Sequence, residues 1–195
     1  MSTAAARTAT PGDFDYIDAA FADADALFEA LLKDVPWRQE SIVLFGKERP
    51  MPRLTCWMGD VAYTYSGLAN QPAPWLLAVT DVKGRVEDLS GSAFNGVLLN
   101  LYRDGADSMG WHADDEASLG ARPVIASVSL GAPRRMRFKS KDSQQAASSG
   151  FEITLGHGSL LVMRGDSQRD WLHAIPKSKR VSTPRINLTF RHIVG

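Results

Sequence analysis

The 195-residue chain has a single cysteine, Cys56. One thiol excludes an intramolecular disulfide framework and fits a reducing compartment. An excess of charge of one sign is also missing: 22 Lys and Arg stand against 22 Asp and Glu, a formal net charge of zero. Nothing global therefore marks the chain for a polyanion, and any such surface has to be a local basic patch balanced by acid elsewhere. No apolar run approaches the ~20 residues that cross a bilayer, and the first residues lack a signal peptide's hydrophobic core. A cytoplasmic, monomeric protein with no membrane partner is the expectation. Hydrophobic residues at 44% and charged residues at 23% leave an ordinary globular composition, enough for one domain with a sizeable core.

Residues 1–12 are small, polar and rich in Ala and Thr, and read as a flexible tail. Ala24, Leu27, Phe28, Leu31 and Leu32 recur at helical spacing, which predicts a helix over 23–33 that Pro36 stops. Residues 38–67 read as short strands punctuated by Gly46, Pro50, Pro52 and Gly59. A second helix is expected over 73–89, opening near Pro74 and closing before Gly91, with Leu76, Leu77, Val82, Val86 and Leu89 as its apolar side. From 95 onward, short strands separated by turn signals point to an all-β sandwich or barrel.

The chemistry gathers at Trp111-His112-Ala113-Asp114-Asp115-Glu116. On an extended segment, alternation puts His112 and Asp114 on one side, within reach of one ion. A third ligand must come from a distant part of the chain, and His173 in Asp170-Trp171-Leu172-His173-Ala174 is the natural candidate. Two imidazoles and a carboxylate without thiolates favour Fe(II) or a similar divalent ion over structural zinc, and leave coordination positions open. An isolated His-x-Asp is common by chance. His157, in a turn, needs no more than a satisfied hydrogen bond to explain it.

The stretch after His173 raises the case. Along 185–191, Arg185, Asn187, Thr189 and Arg191 point one way and Ile186, Leu188 and Phe190 the other. Two Arg on the polar face of a strand fit either a solvated edge or a barrel interior that binds a carboxylate, since guanidinium forks match carboxylates. Beside the triad, the second reading describes iron with a dicarboxylate co-substrate.

Asn100-Leu101-Tyr102-Arg103-Asp104-Gly105, His112-x-Asp114-Asp115-Glu116, His173 and Pro184-Arg185-x-Asn187-Leu188-Thr189-Phe190-Arg191 together resemble the AlkB family of Fe(II)/2-oxoglutarate dioxygenases. The likeness runs from about residue 37 to 194 and is strongest to the vertebrate branch that repairs alkylated DNA. It implies a mainly β (α+β) fold: a double-stranded β-helix, or jelly roll, over 95–195, preceded over 13–94 by helices and a nucleotide-recognition lid. It also implies His112, Asp114 and His173 as Fe(II) ligands. Asn100, Tyr102, Arg185, Asn187 and Arg191 would hold 2-oxoglutarate, with Arg185 on its distal carboxylate and Arg191 supporting the keto-acid end and Glu116. The implied reaction consumes dioxygen and removes N-alkyl groups from bases such as 1-methyladenine and 3-methylcytosine in DNA, releasing aldehyde, succinate and carbon dioxide. RNA demethylation, or oxidation of a substrate that is not nucleic acid, are the alternatives.

Four stretches bear on the substrate. Phe45 and Gly46, followed by Lys47 and Arg53, form a tip that is either a hairpin covering the core edge or an apolar wedge with phosphate-holding cations. The resemblance favours the wedge, because it matches the base-intercalating finger of the repair branch. Tyr63 and Tyr65 share one strand face and could stack on a flipped base, or simply pack. The resembled branch commonly has Phe where Tyr65 stands. Asp115 and Glu116 would help read that base. Arg134, Arg135, Arg137 and Lys139 put four cations within six residues, either a solvated strand face or a DNA contact. Lys177, Lys179 and Arg180 form a second basic patch.

Overall fold

The computed structural model describes residues 7–8, 13–44, 47–65, 68–142 and 150–194, and for 7–8, 43–44, 63–65 and 68–70 the backbone alone. In chain order the elements are β1 (Arg7–Thr8), β2 (Phe14–Ile17), α1 (Ala24–Asp34), β3 (Ser41–Leu44), β4 (Lys47–Pro50), β5 (Leu54–Gly59), β6 (Tyr63–Tyr65) and β7 (Leu68–Asn70). There follow α2 (Leu77–Ser90), β8 (Gly96–Tyr102), β9 (Met109–His112), β10 (Ile125–Gly131), β11 (Arg134–Ser140) and β12 (Gly150–Leu155). β13 (Ser159–Met163), α3 (Ser167–Asp170), β14 (Trp171–Ile175) and β15 (Arg185–Arg191) complete the chain.

Two antiparallel sheets face each other as a jelly roll. The larger has the order β1-β2-β13-β10-β15-β8-β5, the smaller β12-β11-β14-β9. β8 is buried along its whole length, because each of its faces meets a different core. Val97, Leu99 and Leu101 join Val128, Leu130, Ile186, Leu188 and Phe190 on the outer face of the large sheet. There they are covered by Leu27 and Leu31 of α1 and by Val79, Val82 and Val86 of α2. Leu98 and Tyr102 point the other way, into the space between the sheets, with Met136, Phe138, Leu155 and Met163. Phe138 and Phe151 stack there at 4.5 Å.

β15 follows the expected alternation over the expected residues, yet every position of it is buried. Its apolar side faces the helices and its polar side faces the inside of the sandwich. The solvated-edge reading of 185–191 is thereby excluded.

Three expectations change. α2 begins at Leu77 rather than near Pro74, because Ala73 is held extended by its N–H bond to Trp57 O (2.8 Å) and the residue before a proline avoids helical geometry. The buried stripe is therefore Val79, Val82 and Val86, while Leu77 is 90% exposed and Leu89 41%. α2 ends as expected at Gly91, whose φ of 68° is the left-handed conformation glycine adopts without cost. Arg7–Thr8, within the stretch expected as a tail, pairs with β2. Finally, β2 and β5 belong to the large sheet, so the β core does not begin at 95 but recruits strands from the N-terminal region. What remains of that region is α1, α2 and two small hairpins, β3–β4 and β6–β7.

Leu31 is fully buried where α1 meets the large sheet. Leu31→Ala should lower unfolding stability by about 2–5 kcal/mol, the usual range for such a cavity, read as a shift of the urea midpoint with the slope unchanged.

Candidate active site

The polar faces of β8 and β15 and the ends of β9 and β14 line one cavity between the sheets. Asn100, Tyr102, His112, Asp114, His173, Arg185, Asn187, Thr189 and Arg191 all reach it, over an apolar wall of Leu98, Met109, Met136, Leu155, Met163 and Ile175. Ligand atoms of His112, Asp114 and His173 all lie within 4.8 Å of one another. They meet because β9 and β14 pair with His173 directly opposite His112. Asp114 follows two residues after His112, as the extended spacing requires.

Two of the three candidate ligands are oriented by a second contact. His112 donates from Nδ1 to its own Gly110 carbonyl (2.9 Å), which leaves Nε2 unprotonated to bind a metal. Asp114 Oδ1 accepts a hydrogen bond of 2.6 Å from Arg191 Nη2, while Oδ2 lies 4.0 Å from His173 Nε2. One oxygen is thus tied back and the other faces the imidazole. The Asp114 N–H donates to Gln168 Oε1 (2.9 Å), a residue of α3 that the sequence offered no local signal for.

Electrostatics keep the set ready for a cation. Burial would raise the Asp114 carboxyl, but Arg191 and the two imidazoles outweigh it and hold the group at about 2. Burial also pushes His173 down to about 3, assisted by neighbouring His112, and lowers His112 as well. At neutral pH the site therefore presents two neutral imidazoles and one carboxylate, the protonation states a divalent ion needs.

Arg185 supplies a second, anionic requirement. It is 1% exposed and its Nη2 donates to Ser129 Oγ (2.8 Å), but its Nε and Nη1 have no partner. Burial pushes it down to about 10. A buried guanidinium with two idle donors costs free energy unless an anion meets them, and a carboxylate matches that fork. Its guanidinium lies 5.2 Å from the centre of the Tyr102 ring. The cavity thus carries both a cation site and a carboxylate site.

Other expected site residues fall differently. Asn187 donates both amide hydrogens to the protein, to Ser127 Oγ (2.8 Å) and Val128 O (3.0 Å), and its oxygen accepts from Thr189 Oγ1 (2.9 Å). It braces β15 against β10 and has no donor left for a co-substrate. Arg191 donates to Asp114 and to the Thr189 carbonyl. Asp115 is exposed beside the triad, its carboxylate held by Lys141 (2.7 Å), and Glu116 is half-buried.

Two expected DNA contacts are corrected. Arg53 is 4% exposed and Arg134 3%. Arg134 clamps the carbonyls of Asp104, Asp107 and Pro176, and Arg53 bonds Asn100. Strand parity explains both: Arg134 shares the inward face of Met136 and Phe138, and Arg53 that of Thr55 and Trp57. Arg135, Arg137 and Lys139 lie on the outward face, where Arg135 and Arg137 are 69% and 55% exposed around Glu152. Lys139 stands 4.6 Å from the centre of the exposed Trp111 ring. Lys177 and Arg180 line a separate small cavity with Arg134 and Arg135. Lys47 is exposed on β4, while Phe45 and Gly46 lie outside the described residues. Tyr63 and Tyr65 are placed as backbone on β6.

Against known proteins, the model of the 2OG-Fe(II) oxygenase superfamily matches residues 16–191. The chain is 43% identical over 177 residues to alpha-ketoglutarate-dependent dioxygenase alkB homolog 3 of Mus musculus, covering 88% of this chain and 62% of that protein. It is 40% identical over 182 residues to the DNA oxidative demethylase ALKBH2 of Homo sapiens, covering 89% and 70%. The chain thus spans about three fifths of the first of these relatives. In three dimensions it resembles the structure of OsALKBH1 with a TM-score of 0.68 at 15% identity, covering 95% of this chain and 100% of that one, a likeness of fold.

A pH dependence follows from the depressed imidazoles. A histidine that stays neutral when folded, but titrates near 6.5 when unfolded, stabilises the fold less as pH falls below 6.5, because only the unfolded chain takes up the proton. Asp114 acts in the same direction lower down: its contribution is present above about 3.8 and is lost towards about 2. Without metal, stability should fall from pH 6.5 towards 3, with His173 contributing up to about 1.4 kcal/mol per pH unit and His112 acting in the same direction. Urea titrations at several pH values check this, and replacing both residues by Asn should flatten the slope.

Proposed function

Because the chain belongs to the 2OG-Fe(II) oxygenase superfamily, and within it to the AlkB family, we propose that it is an Fe(II)- and 2-oxoglutarate-dependent dioxygenase that removes alkyl groups from bases in DNA. One observation carries the reading. A cation-ready triad and a buried guanidinium lacking an anion share a single cavity.

When bound, Fe(II), 2-oxoglutarate and dioxygen supply an oxidation that converts the co-substrate to succinate and carbon dioxide and hydroxylates the N-alkyl carbon, which then leaves as an aldehyde. The residues of the chain do the holding and orienting. His112, Asp114 and His173 would hold the metal, and their three-ligand arrangement leaves positions for co-substrate and oxygen. Arg185 would take the distal carboxylate of 2-oxoglutarate, with Tyr102 beneath its guanidinium. Arg191 keeps Asp114 ionised and turns one oxygen towards His173. The apolar wall excludes water from the reacting centre.

The DNA assignment draws on the likeness to ALKBH2, a DNA oxidative demethylase, and on the outward basic face of β11. Arg135, Arg137 and Lys139 stand in one row along that strand, with Lys141 just beyond it, and would hold phosphate. Asp115 and Glu116, beside the metal ligands, and Tyr63 and Tyr65 would meet the extruded base. Phe45 would fill the stack it leaves.

The test pairs chemistry with substrate. Oligonucleotides carrying 1-methyladenine, as duplex DNA, single-stranded DNA and RNA, are incubated with enzyme, Fe(II) and 2-oxoglutarate. Repair should be strongest on DNA and absent in Asp114→Ala. Arg185→Met should raise the KM for 2-oxoglutarate at least ~10-fold, the loss of a charge-assisted bidentate pair. Succinate formed with none of these strands repaired would refute the substrate and leave the oxygenase. Exchange of Phe45 for Ala should weaken duplex repair more than single-strand repair, and an unchanged ratio would remove Phe45 from substrate handling.

A further inference from the structure

Arg53 lies at the start of β5, between the β3–β4 hairpin and the cavity. Its Nε donates to Asn100 Oδ1 at 2.7 Å. Nη1 reaches the Ser108 carbonyl at 3.4 Å and Nη2 approaches Met51 Sδ at 3.7 Å. The segment around it is anchored on two sides. Met51 N–H donates to the Glu40 carbonyl (2.7 Å), and Ser108 N–H donates to the Pro52 carbonyl (3.0 Å). Arg53 is thus a fixed group, only 4% exposed.

What it fixes is the sense of an amide. The two ends of an Asn side chain are nearly alike in shape and opposite in hydrogen bonding. A guanidinium has donors and no acceptor, so Asn100 must turn its oxygen to Arg53. The amide nitrogen then lies on the other side, where Asn100 lines the cavity. With the opposite sense, an oxygen would face any carboxylate bound there and repel it.

We propose that Arg53 is a positioning residue for the co-substrate: it locks the Asn100 amide with its N–H groups towards a carboxylate of bound 2-oxoglutarate. This rests on the reading of the cavity as a 2-oxoglutarate site. It gives a buried arginine, outside the metal triad and the β15 motif, a task in binding the small molecule.

The test reads binding directly, without nucleic acid. The protein is loaded with Mn(II), 2-oxoglutarate is titrated by calorimetry, and thermal unfolding is followed in parallel. Arg53→Met keeps the stem and removes the donors, and should weaken 2-oxoglutarate about tenfold without weakening Mn(II). Arg53→Lys retains one donor and should recover most of the loss, and the KM for 2-oxoglutarate in turnover should rise in step with the dissociation constant. Asn100→Asp covers the case in which Arg53→Met does not fold, since an aspartate still satisfies Arg53 but presents oxygen to the ligand. It should lose more than tenfold. Undiminished 2-oxoglutarate binding by folded Arg53→Met, or by Asn100→Asp, overturns the proposal and leaves the oxygenase reading standing. A wild-type protein that does not bind 2-oxoglutarate overturns both.

Discussion

The hydrogen-bonded ion pair between Arg191 and Asp114, 2.6 Å long and almost wholly buried, is the contact on which the site depends. Asp114 is 1% exposed and Arg191 2%, so neither charge could stay inside the sandwich without the other. The pair joins the two sheets. Arg191 ends the central β15 of the large one, and Asp114 follows the edge strand β9 of the small one. Everything that makes the cavity reactive is arranged around that tie: one aspartate oxygen is engaged, the other points to His173, and both imidazoles sit beside a fixed negative charge.

The same buried setting explains why so many cations lie inside a protein of zero net charge. Arg53, Arg134, Arg185 and Arg191 are all almost fully buried, which for arginine demands partners. Arg134 finds three backbone carbonyls, Arg53 an amide oxygen, and Arg191 a carboxylate. Arg185 alone of the four is left with two donors idle and no counter-charge, and for that reason it identifies the anion site. The four buried arginines are a minority of the 22 Lys and Arg, and of the others Arg135, Arg137 and Lys139 make one outward row on β11.

Much of this was legible because it is periodic or local. The alternation of 185–191 placed both faces of β15 correctly, the three-four spacing of Ala24, Leu27 and Leu31 gave α1, and the extended His-x-Asp spacing brought His112 and Asp114 to one side. What stayed hidden depends on partners far along the chain. The role of Gln168 requires α3 to pack against residue 114, and Asn187 has the composition of a ligand but is satisfied by Ser127 and Val128 across the sheet. Arg53 and Arg134 are a middle case. Counting by twos from Trp57 and Phe138 turns both inward, so strand parity contained the answer and the density of positive charge obscured it. For α2, Val82 and Val86 were read correctly, but Leu77 and Leu89 face solvent, Val79 was missed, and the start lies later because an interstrand bond at Ala73 competes with the helix.

All three ligands come from the small sheet, but the carboxylate is anchored from the large one, and that has a consequence for how the site holds an ion. His112 and His173 are neighbours across one strand pair and can meet as soon as β9 finds β14. The carboxylate itself is held by Arg191 of β15, from the opposite layer. A half-assembled molecule offers two imidazoles and little grip on a redox-active ion. Grip on a metal ion is thereby coupled to the closure of the sandwich, since parting the two layers releases the carboxylate while the two imidazoles stay side by side on one strand pair.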